Sequence, residues 1–215
     1  MASKTKPPKP TTILLVRHGT TPTTGQSLPG RAPGLHLAED GIRQAERAAE
    51  RIAELERVDA LYCSPLERTR ETAAPIGTAL KMRPKVERGL LECDFGDWTG
   101  AKLKDLFKLP EWRTVQQAPS TFRFPNGESF TEMQVRIVGA LDRLRARHPG
   151  GTIVCVSHAD PIKAAVAHAM GTHLDLFQRI VISPCSISAF AWSTGGPVAL
   201  TVNSIGGSLR ELAPS

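Results

Sequence analysis

The chain is short of cysteine, tyrosine and long apolar runs, and each shortage removes a class of function. Four cysteines, Cys63, Cys93, Cys155 and Cys185, are scattered over 215 residues with no C-x-x-C pair. Zinc sites draw thiolates from closely spaced pairs and disulfide frameworks belong to small oxidised domains, so neither is expected. Three of the four lie in or beside apolar, strand-like runs where small buried thiols pack. A Cys-centred anion loop ending in Arg is also missing. With a single Tyr and no Lys/Arg run beyond the first ten residues, the stacking platforms and basic tracks of a nucleic-acid binder are absent. No stretch approaches the eighteen or so apolar residues of a membrane span, and no apolar segment of a signal peptide follows the N-terminus. The expectation is a cytoplasmic protein with reduced thiols and neither nucleic acid nor membrane as partner.

What is present points to one filled core. A 40% hydrophobic and 22% charged composition at this length suits a single globular domain over residues 11–215. Residues 1–10 read as a disordered basic leader: Lys4, Lys6 and Lys9 among prolines, with too little apolar content to fold. The formal charge of +6 is therefore partly the leader's. The remaining mild excess fits a small anionic substrate. Oligomeric state is not legible, and a homodimer stays open.

Ile13-Leu14-Leu15-Val16 is a continuous apolar run that ends in Arg17, His18 and Gly19. Such runs are strands buried on both faces, and in open α/β sheets the ligand crevice lies beyond their carboxyl ends. Gly19 suits the turn out of the strand, since Gly tolerates backbone angles closed to other residues. The irregular Thr20–Asp40 stretch is expected to wrap the mouth of the site. Ile42, Ala45, Ala49, Ile52, Ala53 and Leu55 recur at helical spacing over Glu39–Arg57. Val58–Cys63 is a second strand, and Ser64-Pro65-Leu66-Glu67 reads as a capping box before a helix carrying Arg68 in its first turn. Lys85-Val86-Glu87 is a weak third strand leading to Glu92. Residues 93–130 collect Phe95, Trp98, Phe107, Trp112, Phe122 and Phe124, as a lid-like specificity insertion or a satellite core would. Ser129 and Glu132 form another capping box, ahead of a helix to Arg147. Thr152–Ser157 is a fourth strand with His158 at its tip, followed by Asp160-Pro161 as helix cap and first-turn proline. A final hairpin spans Ser186–Trp192 and Val198–Val202. Alternating strands and helices give a three-layer α/β/α sandwich on a mainly parallel sheet with one antiparallel edge strand.

On this layout Arg17, His18, Arg68, Glu92 and His158 all fall at one edge of the sheet. Two Arg and two His converging on a crevice make an anion site, because guanidinium forks match phosphate oxygens. His18 and His158-Ala159-Asp160 could instead ligate a metal, but two permanent cations would repel it with few carboxylates to compensate. Without metal or other cofactor, a neutral imidazole can attack phosphorus while the guanidinium groups stabilise the transferring oxygens. Those groups would also lower the pKa of His18. Glu92, if burial raises its pKa, can protonate the leaving oxygen.

Leu15-Val16-Arg17-His18-Gly19-Thr20 resembles the first motif of the histidine phosphatase superfamily, in its phosphoglycerate mutase-like branch. Gly30-Arg31 with Leu37-Ala38-Glu39-Asp40-Gly41, Ser64-Pro65-Leu66-Glu67-Arg68-Thr69, Leu91-Glu92 through Phe95-Gly96-Asp97-Trp98, Gly127-Glu128-Ser129 and Val156-Ser157-His158 resemble the later ones, in order. The resemblance implies that His18 is the phosphorylated nucleophile, that Arg17, Arg68 and His158 form the phosphate pocket, and that Glu92 is the proton donor. It also implies substrate contacts by Thr24, Arg31 and Ala159, although Thr24 stands where the family often has Asn and Ala159 where Gly is common. The expected function is a metal-independent phosphatase acting on a small phosphomonoester. A phosphoglycerate mutase-type transfer, or a non-catalytic phosphate-binding scaffold, are the alternatives.

Overall fold

The computed structural model describes residues 8–210 and 212; most of the basic leader, Met1–Pro7, lies outside them. Six strands form one sheet in the order β3-β2-β4-β1-β5-β6. They are β1 (Thr11–Arg17), β2 (Ala60–Cys63), β3 (Lys85–Val86), β4 (Thr152–Ser157), β5 (Ile187–Ser193) and β6 (Gly196–Ser204). β1, β2, β3 and β4 pair in parallel, and the antiparallel edge is the hairpin of β5 and β6, with β5 against β1.

The period of two along each central strand divides its side chains between two cores. Ile13 and Leu15, Ala60 and Tyr62, and Ile153 and Cys155 face one cluster. Helices α5 (Phe130–Arg147) and α6 (Ala159–Ala169) close that side. Leu14 and Val16, Leu61 and Cys63, and Val154 and Val156 face the other. That face is covered by α1 (Glu39–Ala53) and α2 (Glu67–Leu80). Covering both faces explains why these strands read as unbroken apolar runs. In α1 the expected stripe is shifted: Ala45, Ala48, Ala49 and Ile52 are buried while Ile42 is 51% exposed.

The capping box of α5 forms as read, Ser129 Oγ accepting from Glu132 N and Glu132 from Ser129 N. The Ser64–Glu67 box does not form; α2 starts at Glu67 behind Leu66. Ser64 is occupied elsewhere, and Thr69 Oγ1 donates to the carbonyls of Ser64 and Leu66 instead. Asp160 is likewise not a cap, since α6 begins at Ala159 with His158 in the cap position. The aromatic segment, with short helices α3 (Leu103–Leu106) and α4 (Pro110–Gln117), is continuous with the core on the α5 and α6 side. Phe95, Phe122 and Phe124 are buried in that cluster, with Trp98 and Trp112 packed against it.

Candidate active site

The site begins with register. β1 and β4 are adjacent and parallel, with Arg17 opposite Ser157, and the ladder runs one bond further through His18 N to Ser157 O at 3.0 Å. His18 and His158 therefore leave the sheet side by side. Their rings meet edge to face with centroids 5.2 Å apart. Gly19 and Gly41 touch backbone to backbone where the loop after β1 passes the start of α1. A Cβ on Gly19 would lie 2.5 Å from Gly41 O, and one on Gly41 would lie 2.1 Å from Thr20 O. Close approach, not a positive φ, is thus what position 19 requires, because Gly19 is not among the residues with φ in that region.

His18 Nδ1 lies 2.8 Å from its neighbour's carbonyl, Gly19 O. A carbonyl can only accept, so Nδ1 carries the proton and Nε2 keeps its lone pair. Burial, and then the charges of Arg68 and Arg17, hold the pKa of His18 well below its ordinary value. His158 is depressed in the same way by burial, Arg68 and the second imidazole. Its Nε2 is paired with Ser64 Oγ at 2.9 Å, which is why Ser64 does not cap α2. Arg68 is completely buried, donating Nη2 to Gly30 O at 2.8 Å, and Arg17 donates Nη1 to Ile182 O at 2.7 Å. Among the described residues, Arg17 Nε, Arg68 Nε and Nη1, and His158 Nδ1 are buried without any hydrogen-bond partner. Leaving such atoms unpaired costs roughly 1–3 kcal/mol each, more for charged groups, so their grouping around one imidazole is the mark of an anion site.

Thr72 ties the loop after His18 to the helix that carries Arg68. Its hydroxyl accepts from Gly19 N at 3.1 Å and donates to Arg68 O at 2.7 Å, one turn earlier on α2. The i, i+4 spacing of Arg68 and Thr72 was the available sequence signal for this contact.

Glu92 is buried, with Oε1 accepting from Cys93 N at 2.9 Å. Burial first, then the Asp160 charge, raise its pKa to about 7 against the pull of Arg68 and Arg17. Its backbone is clamped. Arg31 Nε donates to Glu92 O at 2.9 Å and Arg136 Nη2 to the same oxygen at 3.2 Å. Glu128 joins the two clamps, accepting from Arg31 at 2.9 Å and from Arg136 at 2.7 and 2.9 Å. Gly127 admits this arrangement, since a Cβ there would approach Asp94 O to 2.5 Å. Arg136 lay unremarked in the sequence, on the outward pattern of a long helix.

A cavity of about 350 Å³ is lined by Arg17, His18 and Glu92 together with Phe95, Asp160 and Lys163, while Arg68 and His158 are fully buried and do not line it. The loop after β1 does wrap its mouth, through Thr21 to Gly25 and Ser27 to Pro29. Ala159 and Thr24 also line it. The Thr24 hydroxyl accepts from Thr21 N at 2.8 Å and pairs with Thr21 Oγ1 at 3.0 Å, so two of its hydrogen bonds go to the loop itself. Arg31 does not line the cavity; its guanidinium is committed to Glu92 O, Asp94 and Glu128. Of the seven aromatics in residues 93–130, Phe95 alone lines it. A larger cavity of about 810 Å³ lies along α2 and β3, around Arg70, Met82 and Pro84, away from both histidines.

The cysteines are structural. All four are buried and unpaired, and burial pushes the Cys63 thiol up to about 11 and Cys185 up to about 12, with Cys93 and Cys155 higher still. Among the described residues no three His, Cys, Asp or Glu side chains are grouped as metal ligands, and no helix is long and apolar enough to cross a membrane.

Comparison with known proteins agrees with this geometry. The chain is 32% identical over 196 residues to phosphoserine phosphatase 1 of Hydrogenobacter thermophilus, covering 89% of this chain and 91% of that protein. It is 32% identical over 201 residues to a bifunctional protein of Mycobacterium tuberculosis, of whose length it spans 55%. Among solved structures, the phosphoserine phosphatase of Entamoeba histolytica in complex with 3-phosphoglyceric acid superposes with a TM-score of 0.81 at 26% identity, over 90% of this chain and 97% of that one. A mycobacterial glucosyl-3-phosphoglycerate phosphatase shares the fold with a TM-score of 0.82 at 22% identity, over 91% of this chain and 100% of its own. The family model of the histidine phosphatase superfamily, branch 1, matches residues 13–205, and the chain belongs to that superfamily.

Proposed function

We propose that this phosphomonoesterase hydrolyses a small phosphomonoester without a metal ion, through a phosphohistidine on His18. The observation that carries the reading is the ring of unpartnered nitrogens on Arg17, Arg68 and His158 around an imidazole whose Nε2 lone pair is free; with Ser64 Oγ donating to His158 Nε2, His158 Nδ1–H is a donor alongside the guanidinium N–H groups. The phosphoryl oxygens bind those donors. The Nε2 lone pair forms the N–P bond as the P–O bond to the leaving group breaks, and Glu92 gives its proton to the departing oxygen. The positive charge that develops on the ring is stabilised through Nδ1–H by Gly19 O. Glu92, now a carboxylate, takes a proton from the water that attacks phosphorus. The N–P bond breaks, phosphate leaves, and both groups return to their starting state.

Hydrolysis is favoured over mutase chemistry by the charge of the cavity wall. A mutase must hold a bisphosphate, yet Lys163 is the one cation lining the cavity besides Arg17 among the described residues, and it is shared with Asp160 at 3.4 Å. The phosphoserine phosphatases among the relatives make O-phosphoserine the first substrate to test, with 3-phosphoglycerate beside it. A short pulse of labelled substrate followed by alkaline peptide mapping is expected to place phosphate on His18, and His18→Ala to give none. Label on Ser157 or on a cysteine, or full activity in His18→Ala, overturns the assignment. Activity is expected to survive EDTA; loss on chelation with recovery by one divalent ion would favour a metal hydrolase.

A further inference from the structure

The cavity has a second polar end. Lys163 stands one turn after Ala159 on α6, with its side chain four-fifths buried. Its ammonium donates to Gln178 Oε1 at 3.0 Å and lies 3.4 Å from Asp160 Oδ1. Because an ammonium only donates, the Gln178 amide must present its oxygen to Lys163, and its NH2 group then points elsewhere. Both side chains line the cavity that holds His18. The wall mixes apolar side chains such as Leu28, Phe95 and Leu103 with the hydroxyl residues Thr23 and Ser27. The Lys163 stem is held beside the Phe177 ring, its nitrogen 5.8 Å from the centroid.

We infer that Lys163 and Gln178 are specificity-determining residues that receive a carboxylate on the substrate, so that the preferred substrate is a small phosphomonoester also bearing a carboxylate. The inference rests on the phosphatase reading above. A carboxylate presents two acceptors in a plane; Lys163 Nζ keeps a third N–H beyond those directed at Gln178 and Asp160, and the Gln178 NH2 is a further donor on a residue of the same cavity wall. The carboxylate carries one charge, which a single ammonium neutralises. A second phosphate would bring nearly two charges to that ammonium and set them beside the Asp160 carboxylate. The volume of about 350 Å³ is at the small end of ligand cavities and suits a small phosphomonoester.

The test compares substrates that differ only in the carboxylate: 3-phosphoglycerate with glycerol 3-phosphate, and O-phosphoserine with phosphoethanolamine, with an aryl phosphate as a probe of the chemistry. In the wild-type protein kcat/KM is expected to favour the carboxylate member of at least one pair by tenfold or more. In Lys163→Met, which keeps the apolar stem over Phe177, that ratio is expected to fall at least about tenfold, mainly through KM. Gln178→Leu is expected to lower it about threefold, and Lys163→Arg to retain most of it. Ratios cancel any general loss of folded or active enzyme. Turnover of the aryl phosphate with no preference in either pair, or an equal loss for both members of a pair in Lys163→Met, overturns the inference and leaves the phosphatase reading standing. No turnover of any phosphomonoester overturns both.

Discussion

On the proposed reading the cavity beside His18 has a phosphate end and a leaving-group end, and the two are built on opposite principles. At the phosphate end His18 and Arg68 are buried and Arg17 is half-buried, and each is fixed by a backbone contact: His18 by Gly19 O, Arg68 by Gly30 O, Arg17 by Ile182 O. Free donors remain on those fixed groups. At the leaving-group end the wall is a mixture of apolar side chains and one ion pair, supplied by loops and by the first turns of α6. The first arrangement stores unsatisfied hydrogen bonds for one ligand shape, a tetrahedral dianion. The second is close to self-satisfied and can be re-cut by a few substitutions. Chemistry is therefore expected to be rigid in this protein and selectivity to be adjustable.

The largest expected effect breaks the phosphate end. Arg68→Met keeps the buried stem but removes two unpartnered donors, and kcat/KM is expected to fall by roughly 10³-fold for every substrate, whatever its leaving group. Loss of inhibition by inorganic phosphate should accompany it, measured on the same preparation. A fall confined to one substrate class would move Arg68 to the leaving-group end.

Glu92 sharpens the comparison, because it stands between the two. In Glu92→Gln the loss is expected to be on the order of 10²-fold for an alkyl ester, whose alkoxide needs a proton, and below about tenfold for an activated aryl phosphate. With a pKa of about 7 the carboxyl is protonated on the acid side and loses its proton as pH rises. Where phosphorylation of His18 limits turnover, kcat for the alkyl ester should thus decline above neutrality, and the glutamine variant should lack that limb. The depressed His18 leaves its imidazole neutral below its ordinary pKa, so the acidic limb should fall further down the scale than a free histidine would place it.

The same division separates what the sequence made legible from what it hid. His18 and His158 were readable because each ends a continuous apolar strand, and parallel pairing of β1 with β4 brings them together without further information. The α5 box was readable because both its bonds are local. Ser64 had the identical local pattern and was claimed by His158, 94 positions away. Arg31 looked like a substrate contact, yet it reaches residues 61 and 97 positions distant to hold Glu92 in place. Thr24 carries a hydroxyl of the right kind in the right loop, and Thr21 takes two of its hydrogen bonds. Gly19 was correctly flagged for the wrong reason, since its partner Gly41 sits at the start of another helix. In each case residue type and order were visible while the competitor for a hydrogen bond or a space was supplied by a distant segment.

Asp160 is the residue the two ends share, and the smallest expected effect tests that. Its carboxylate pairs with Lys163 and, across the cavity, raises the pKa of Glu92. Asp160→Asn removes a negative charge that opposes ionisation of Glu92, so Glu92 should give up its proton at lower pH and the alkaline limb of kcat should move towards acid. At pH 8 the rate for an alkyl ester is expected to drop on the order of threefold, while Asp160→Glu keeps the limb near its wild-type place. The sign depends on the slow step. If water attack on the phosphohistidine limits turnover, an ionised Glu92 is the useful form, and the same substitution should raise the rate on the acid side. A burst of alcohol ahead of phosphate in a rapid-quench experiment identifies that case, and the two measurements must agree. A limb that stays fixed in Asp160→Asn, whichever step is slow, would show that Asp160 acts on Lys163 alone and that the two ends are electrostatically independent.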